Sequence, residues 1–184
     1  MNLNQLPDNL PVPVNDGAAE HLKGSQLPNA SFTATNNKSV NIQNQPGVVV
    51  FYIYPMTGHP ETSLPDGWDD IPGARGCTPQ SCSFRDHYSE IQTLNANVFG
   101  LSAQPTNYQI EAKERLHLPF ELLSDEHFTL RASLKLPTLK AAGMELYKRI
   151  TLIARDGIIS KVFYPVFPPD ENAEEVLSWL RSHA

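Results

Sequence analysis

The sequence predicts an α/β fold: a thioredoxin-like order of elements, giving a mixed sheet flanked by helices, with an N-terminal β-hairpin extension. Three observations predict it. Strand-like and helix-like segments alternate through the middle of the chain, which implies parallel strands covered on both faces. Residues 48–54 (VVVFYIY) form a continuous β-branched and aromatic run, as in a strand buried on both sides. Residues 148–163 (KRITLIARDGIISKVF) read as a late hairpin of two β-rich runs around Asp156-Gly157, followed by an amphipathic helix.

The elements follow in order. Residues 1–26 are rich in Asn, Pro and Asp with little periodicity, and read as an arm ahead of a domain spanning 27–184. Residues 31–42 (SFTATNNKSVNI) alternate in polarity around Asn36-Asn37, a hairpin pattern. The 48–54 strand is closed by Pro55. Residues 55–76, rich in proline and glycine, form a long irregular loop, of the kind that is usually functional when it lies inside a compact domain.

A helix then begins at Cys77 or Thr78. Pro79 is tolerated only in a first turn, and Phe84, Tyr88, Ile91 and Leu94 follow at helical spacing. Residues 97–103 read as a strand. Thr106 and Gln109 have capping-box spacing, and Tyr108, Ala112 and Leu116 form one helical face. Residues 119–123 read as a short strand and 125–134 as a short helix. Asp170 is a candidate cap for a last helix whose apolar face is Ala173, Val176, Leu177 and Leu180.

At 184 residues and 40% hydrophobic, the chain can bury a core as one domain without disulfide staples. A net charge of −6 without any Lys/Arg cluster gives no footprint for nucleic acid. The first residues lack a basic and then apolar leader, and the longest apolar run is too short to span a bilayer. These features set the expectation of a cytoplasmic protein with neither membrane nor nucleic-acid partners.

Both cysteines, Cys77 and Cys82, lie in residues 72–86 (PGARGCTPQSCSFRD). In a reducing compartment a lone close pair is more often catalytic or metal-binding than structural. On an intact helix Cys82 is rotated about 140° from Cys77, with Cα atoms roughly 8–9 Å apart. A disulfide needs less than about 7 Å, so the two can bond only if the first turns unwind. Pro79 makes that easier by removing one donor. A helix start also presents free N–H groups and partial positive charge, which favour a thiolate at Cys77. Inert burial remains an alternative, as does a zinc site with His59 or His87, although neither histidine stands at a familiar ligand spacing. His21, His117, His127 and His183 add no metal or proton-transfer pattern.

Residues 76–91 (GCTPQSCSFRDHYSEI) resemble the active-site segment of peroxiredoxins, closest to the bacterioferritin-comigratory type. The shared residues are Gly76, Cys77, Thr78, Gln80, Cys82, Arg85 and Asp86, and the lead-in from Pro72 resembles another branch of that family. The resemblance covers roughly residues 27–182. It implies a thioredoxin-fold thiol peroxidase acting on hydrogen peroxide or small organic hydroperoxides, without organic or metal cofactor.

Carried over, Cys77 is the peroxidatic and Cys82 the resolving cysteine, joined in an intramolecular disulfide that thioredoxin or a similar dithiol reduces. Arg149 matches the arginine placed at the start of a late strand, there to support the thiolate and the peroxide. The resemblance leaves open a monomer or a homodimer. One departure stands out: the family threonine three residues before the cysteine is Ala74 here. Either Thr57 folds back to the site, or another donor replaces it. A disulfide-based redox sensor and a non-catalytic binding module of the same fold are the rival readings. For Arg149 the plain alternative is a surface ion pair with Glu145.

Overall fold

The computed structural model describes residues 2–184. Among them lie nine strands and four α-helices. β1 (Ser31–Ala34) and β2 (Ser39–Asn41) form the expected hairpin around Asn37, whose φ is 61°. β3 (Val48–Ile53) is the central strand, pairing in parallel with β4 (Ala96–Ser102) and antiparallel with β8 (Ile150–Arg155). β5 (Leu122–Ser124) extends the parallel half, and β9 (Ile158–Phe163) the antiparallel half. The seven strands run in the order β2-β1-β5-β4-β3-β8-β9.

The alternation along β3 explains why every residue in it is buried. Val49, Phe51 and Ile53 face one layer, with Leu22 and Leu27 of the N-terminal segment, Leu101, Leu130 and Leu152. Val48, Val50 and Tyr52 face the other layer, against α1 (Cys77–Thr93) and α4 (Asn172–Ser182) through Phe84, Ile91, Val176 and Leu180. Each such apolar side chain contributes about 1.5–3 kcal/mol on burial.

α2 (Thr106–Leu116) and α3 (Thr129–Leu134) differ in detail from the sequence reading. The capping box is not formed: Thr106 lies inside α2, after Pro105, and no side chain caps the helix. Gln109 is fully buried and donates to Ser102 Oγ (2.9 Å) and Leu123 O (2.8 Å), so the sheet claims the amide that a cap would use. α3 is entered through Asp125, whose carboxylate accepts the N–H groups of Thr129 (2.8 Å) and Leu130 (3.0 Å). Asp170 does not cap α4; it sits in a 3-10 turn, Pro169–Glu171, that leads directly into the helix.

A third hairpin was not expected: β6 (Thr138–Ala141) and β7 (Met144–Tyr147) pair around Ala142 and Gly143, both at positive φ. Against it packs the 55–76 loop. Trp68, in a 3-10 turn Trp68–Asp70, is buried with Ala74, Ala141 and Leu146, with Met56, Ile71 and Leu139 at the margin. The loop before α1 is therefore held by its own small core.

The N-terminal segment is also pinned. Leu6 packs over Gly76, and Pro13 over Gly73. Asp16 then accepts hydrogen bonds from Tyr164 Oη (2.8 Å) and Lys148 Nζ (3.0 Å). These bonds hold the Asp16 carboxyl down from its ordinary 3.8 to about 2, with the Tyr164 bond the largest cause. A carboxyl lowered on folding stabilises the fold above its unfolded value, and that gain is lost as pH falls through about 2. The carboxyl is exposed, so solvent screening keeps the gain small. The thermal midpoint of the native chain is expected to exceed that of Asp16→Asn near neutrality, and the difference to vanish on acidification through that range.

Candidate active site

Cys77 is the first residue of α1, preceded by Gly76 at φ 111°. A side chain at Gly76 would drive into the Pro169 ring and the Leu6 methyls, so both conformation and space require glycine there. The Gln80 N–H closes the first turn on Gly76 O at 3.0 Å. The N–H groups at such a helix start have no intrahelical acceptor. Cys77 is 3% exposed and packs with the cluster of Tyr52, Tyr54 and Phe84.

Arg149 immediately precedes β8, where Ile150 pairs with Ile53 of the central strand. That register carries its side chain into the interior, where it is also 3% exposed. Its Nη2 donates to Cys77 Sγ (3.2 Å), Ala74 O (3.0 Å) and Arg75 O (3.2 Å), and its Nη1 to Gln80 Oε1 (2.5 Å). Its Nε is buried without a hydrogen-bond partner. Glu145, the alternative partner weighed above, instead binds Arg131 and Thr138. Among the described residues no carboxylate lies within ion-pair distance of Arg149. Its backbone and amide acceptors are neutral. A buried cation without a counterion is expensive, so the guanidinium is suited to an anionic group bound beside Cys77.

Cys82 lies about 1.4 turns further along the same helix and is half-buried; both cysteines are unbridged and α1 is intact between them. Burial pushes the Cys82 thiol up, against the nearby Arg85. A groove of about 970 Å³ separates its face of α1 from residues 4–8 of the N-terminal segment, with Phe167 and Asp170 on the far wall. A smaller apolar cleft of about 400 Å³ opens beside Arg149, between Val14, Ile71, Leu139 and Val166.

Thr57 does not supply the missing hydroxyl. Its N–H and Oγ1 turn to Gln104 Oε1 (3.0 and 3.3 Å), and Tyr108 Oη donates to its carbonyl at 3.1 Å. His59 lies beside Glu111 and edge-on to Tyr108, and His87 beside Glu90. Arg75 binds Asp69 and Asn2 O, bracing the loop from outside. The structure adds three residues that no motif singled out. Tyr54 is fully buried, and burial holds its phenol far above the usual range, opposed by the neighbouring Ser102 and Gln109 side chains. Its signal in the sequence was its place at the end of the central strand, against Pro55. Thr151 and Asn172 meet behind Gln80, and only the topology brings them there.

The profile of the Redoxin family, described as Redoxin, matches residues 22–177. A peroxiredoxin Q, chloroplastic, of Gentiana triflora is 29% identical over 183 residues, covering 96% of this chain and 76% of that protein. The peroxiredoxin Q, chloroplastic, of Oryza sativa subsp. japonica is 29% identical over 161 residues, covering 87% and 67%. Among solved structures, peroxidoxin BcpB of Mycobacterium tuberculosis superposes with a TM-score of 0.72 at 24% identity, over 89% of this chain and 99% of that one. The bacterioferritin comigratory protein of Xanthomonas campestris, studied for alkyl peroxide reduction, gives 0.67 at 15% identity, over 95% and 99%. At these identities the two structures speak to the fold.

Proposed function

The chain belongs to the Redoxin family, as a peroxiredoxin of the bacterioferritin-comigratory type, and on that premise we propose that Cys77 is its peroxidatic and Cys82 its resolving cysteine. The protein is a thiol-dependent peroxidase. The observation that carries the assignment of roles is Arg149: buried, 3.2 Å from Cys77 Sγ, with no carboxylate to neutralise it.

In the proposed reaction the Cys77 thiolate attacks the terminal oxygen of a hydroperoxide. An S–O bond forms, the O–O bond breaks, and sulfur gives up two electrons. The leaving oxygen takes a proton and departs as water or alcohol. Arg149 supports this in two ways. Nη2 holds the sulfur as an anion, and Nε is a buried donor available to charge growing on oxygen. The Cys77 sulfenic acid then condenses with Cys82: an S–S bond forms, the S–O bond breaks, and the Cys82 proton leaves with the oxygen as water. Because both cysteines belong to one intact helix, this step requires residues 77–82 to unwind. A thioredoxin-type dithiol returns two electrons and two protons.

The same proposal takes residues 27–184 as the peroxidase domain and 1–26 as its arm. It places turnover in a reducing, cytoplasmic setting, by a monomer or homodimer. The test is one equivalent of hydrogen peroxide followed by peptide mass analysis. The expected product is a loss of two hydrogens on the peptide bearing both cysteines, reversed by thioredoxin, with catalytic peroxide consumption. Sulfinic acid accumulating at Cys77 with Cys82 still free would remove Cys82 from the mechanism. Stoichiometric oxidation without turnover would favour the sensor, and slow, ordinary thiol reactivity the binding module.

A further inference from the structure

Behind Arg149 a chain of hydrogen bonds runs to the surface of α4. Gln80 Oε1 accepts from Arg149 Nη1 at 2.5 Å, and Gln80 Nε2 donates to Asn172 Oδ1 at 3.1 Å. Asn172 Oδ1 also accepts from Thr151 Oγ1 at 2.7 Å, and Asn172 Nδ2 donates to Glu175 Oε2 at 3.3 Å. Gln80, Thr151 and Asn172 are completely buried.

The direction of this chain is fixed at both ends by chemistry. A guanidinium only donates, and a carboxylate only accepts. Gln80 must therefore turn its carbonyl to Arg149 and its NH₂ inward. Asn172 must turn its carbonyl to Gln80 and its NH₂ to Glu175. Either amide, flipped, would set donor against donor in a buried site, where an unmade hydrogen bond costs about 1–3 kcal/mol. Arg149 has two terminal nitrogens to place. With Nη1 occupied by Gln80, Nη2 is left for Cys77.

We propose that Asn172, acting through Gln80, is a positioning residue that sets the Arg149 guanidinium against Cys77. It touches neither sulfur nor peroxide. The inference rests on the reading of Cys77 as the reacting sulfur. Its consequence is that the first residue of the last helix tunes a sulfur at the start of the first.

The test separates this from general destabilisation and from the peroxidase reading itself. Asn172→Leu keeps the size and removes the amide. The alkylation rate of Cys77 by iodoacetamide at neutral pH, followed on the Cys77 peptide, is expected to fall about tenfold, as for supporting groups that orient a reactive one. Thiolate absorbance near 240 nm is expected to fall with it. Asn172→Asp, made together with Glu175→Gln so that a donor faces the new carboxylate, retains an acceptor oxygen for both Gln80 and Thr151, and is expected to stay within about threefold of the native rate. Val176→Ala, a buried truncation on the same helix, is expected to lower the thermal midpoint without changing alkylation. Native alkylation in Asn172→Leu, or an equal fall in Val176→Ala, overturns the proposal. Should Asn172→Leu not fold, a tenfold fall in the Asn172→Asp, Glu175→Gln double variant does so alone. Alkylation needs no peroxide, so a failed peroxidase assay in the native chain would strike the functional reading and leave this test standing.

Discussion

Cys77→Ser is expected to reduce peroxide turnover to the uncatalysed background and to lower the thermal midpoint as well. The first effect follows because a serine hydroxyl stays protonated at neutral pH and gives no nucleophile for the O–O bond. The second follows from Arg149. Its other acceptors, Ala74 O, Arg75 O and Gln80 Oε1, are neutral. Breaking a buried charge pair by removing one partner costs about 3–5 kcal/mol. The three neutral acceptors remain in the variant, so the loss should fall at or below the lower end of that range. For a chain of this length each 1 kcal/mol moves the midpoint by roughly 2–4 °C. Residual turnover would remove Cys77 from its proposed role. An unchanged midpoint would mean that sulfur is not the counterion of Arg149.

Arg149→Met is expected to slow the reaction of Cys77 with hydroperoxide by about 10²–10³-fold, the usual effect of deleting one preorganised donor at a site of developing charge. Stability should move much less, because two effects oppose each other. Three buried acceptors lose their donor, at about 1–3 kcal/mol each where nothing replaces it. Against that, a desolvated cation is gone, and replacing a buried charge by a well-packed apolar side chain can be neutral or favourable. Stopped-flow measurement of the peroxide step, alongside thermal unfolding, checks both halves. A rate within about tenfold of the native one would place the donor elsewhere, with the buried Tyr54 hydroxyl the first group to examine.

The main sheet was legible because its signals were local. The 48–54 run, the Asp156-Gly157 turn and the apolar stripe of α4 each fit one element type. What was missed depended on context. The β6–β7 hairpin turns on Ala142-Gly143, without the Asn or Asp that usually marks two residues at positive φ. The capping box at Thr106 and Gln109 was outweighed by burial, which drew Gln109 to the sheet. In the site, Cys77, Cys82 and Arg149 stood out through the family motif, and the structure sets Arg149 against Cys77. Thr57 had the right chemistry but is held by Gln104. Asn172 carried no signal of its own: it matters through Gln80, ninety-two positions away in the chain.

The contacts of residues 2–16 decide how this protein should be handled in the laboratory. Asn2 O is bound by Arg75 at 3.1 Å, and Leu6 lies on Gly76. Changes at Asn2 or Leu6 are therefore expected to reach the loop entering the thiol helix. His183 and Ala184 are exposed, and carry no contact with Cys77 or Arg149. A label attached at His183 is expected to leave the alkylation rate of Cys77 unchanged, so that exposed site is the one to couple to a fluorophore.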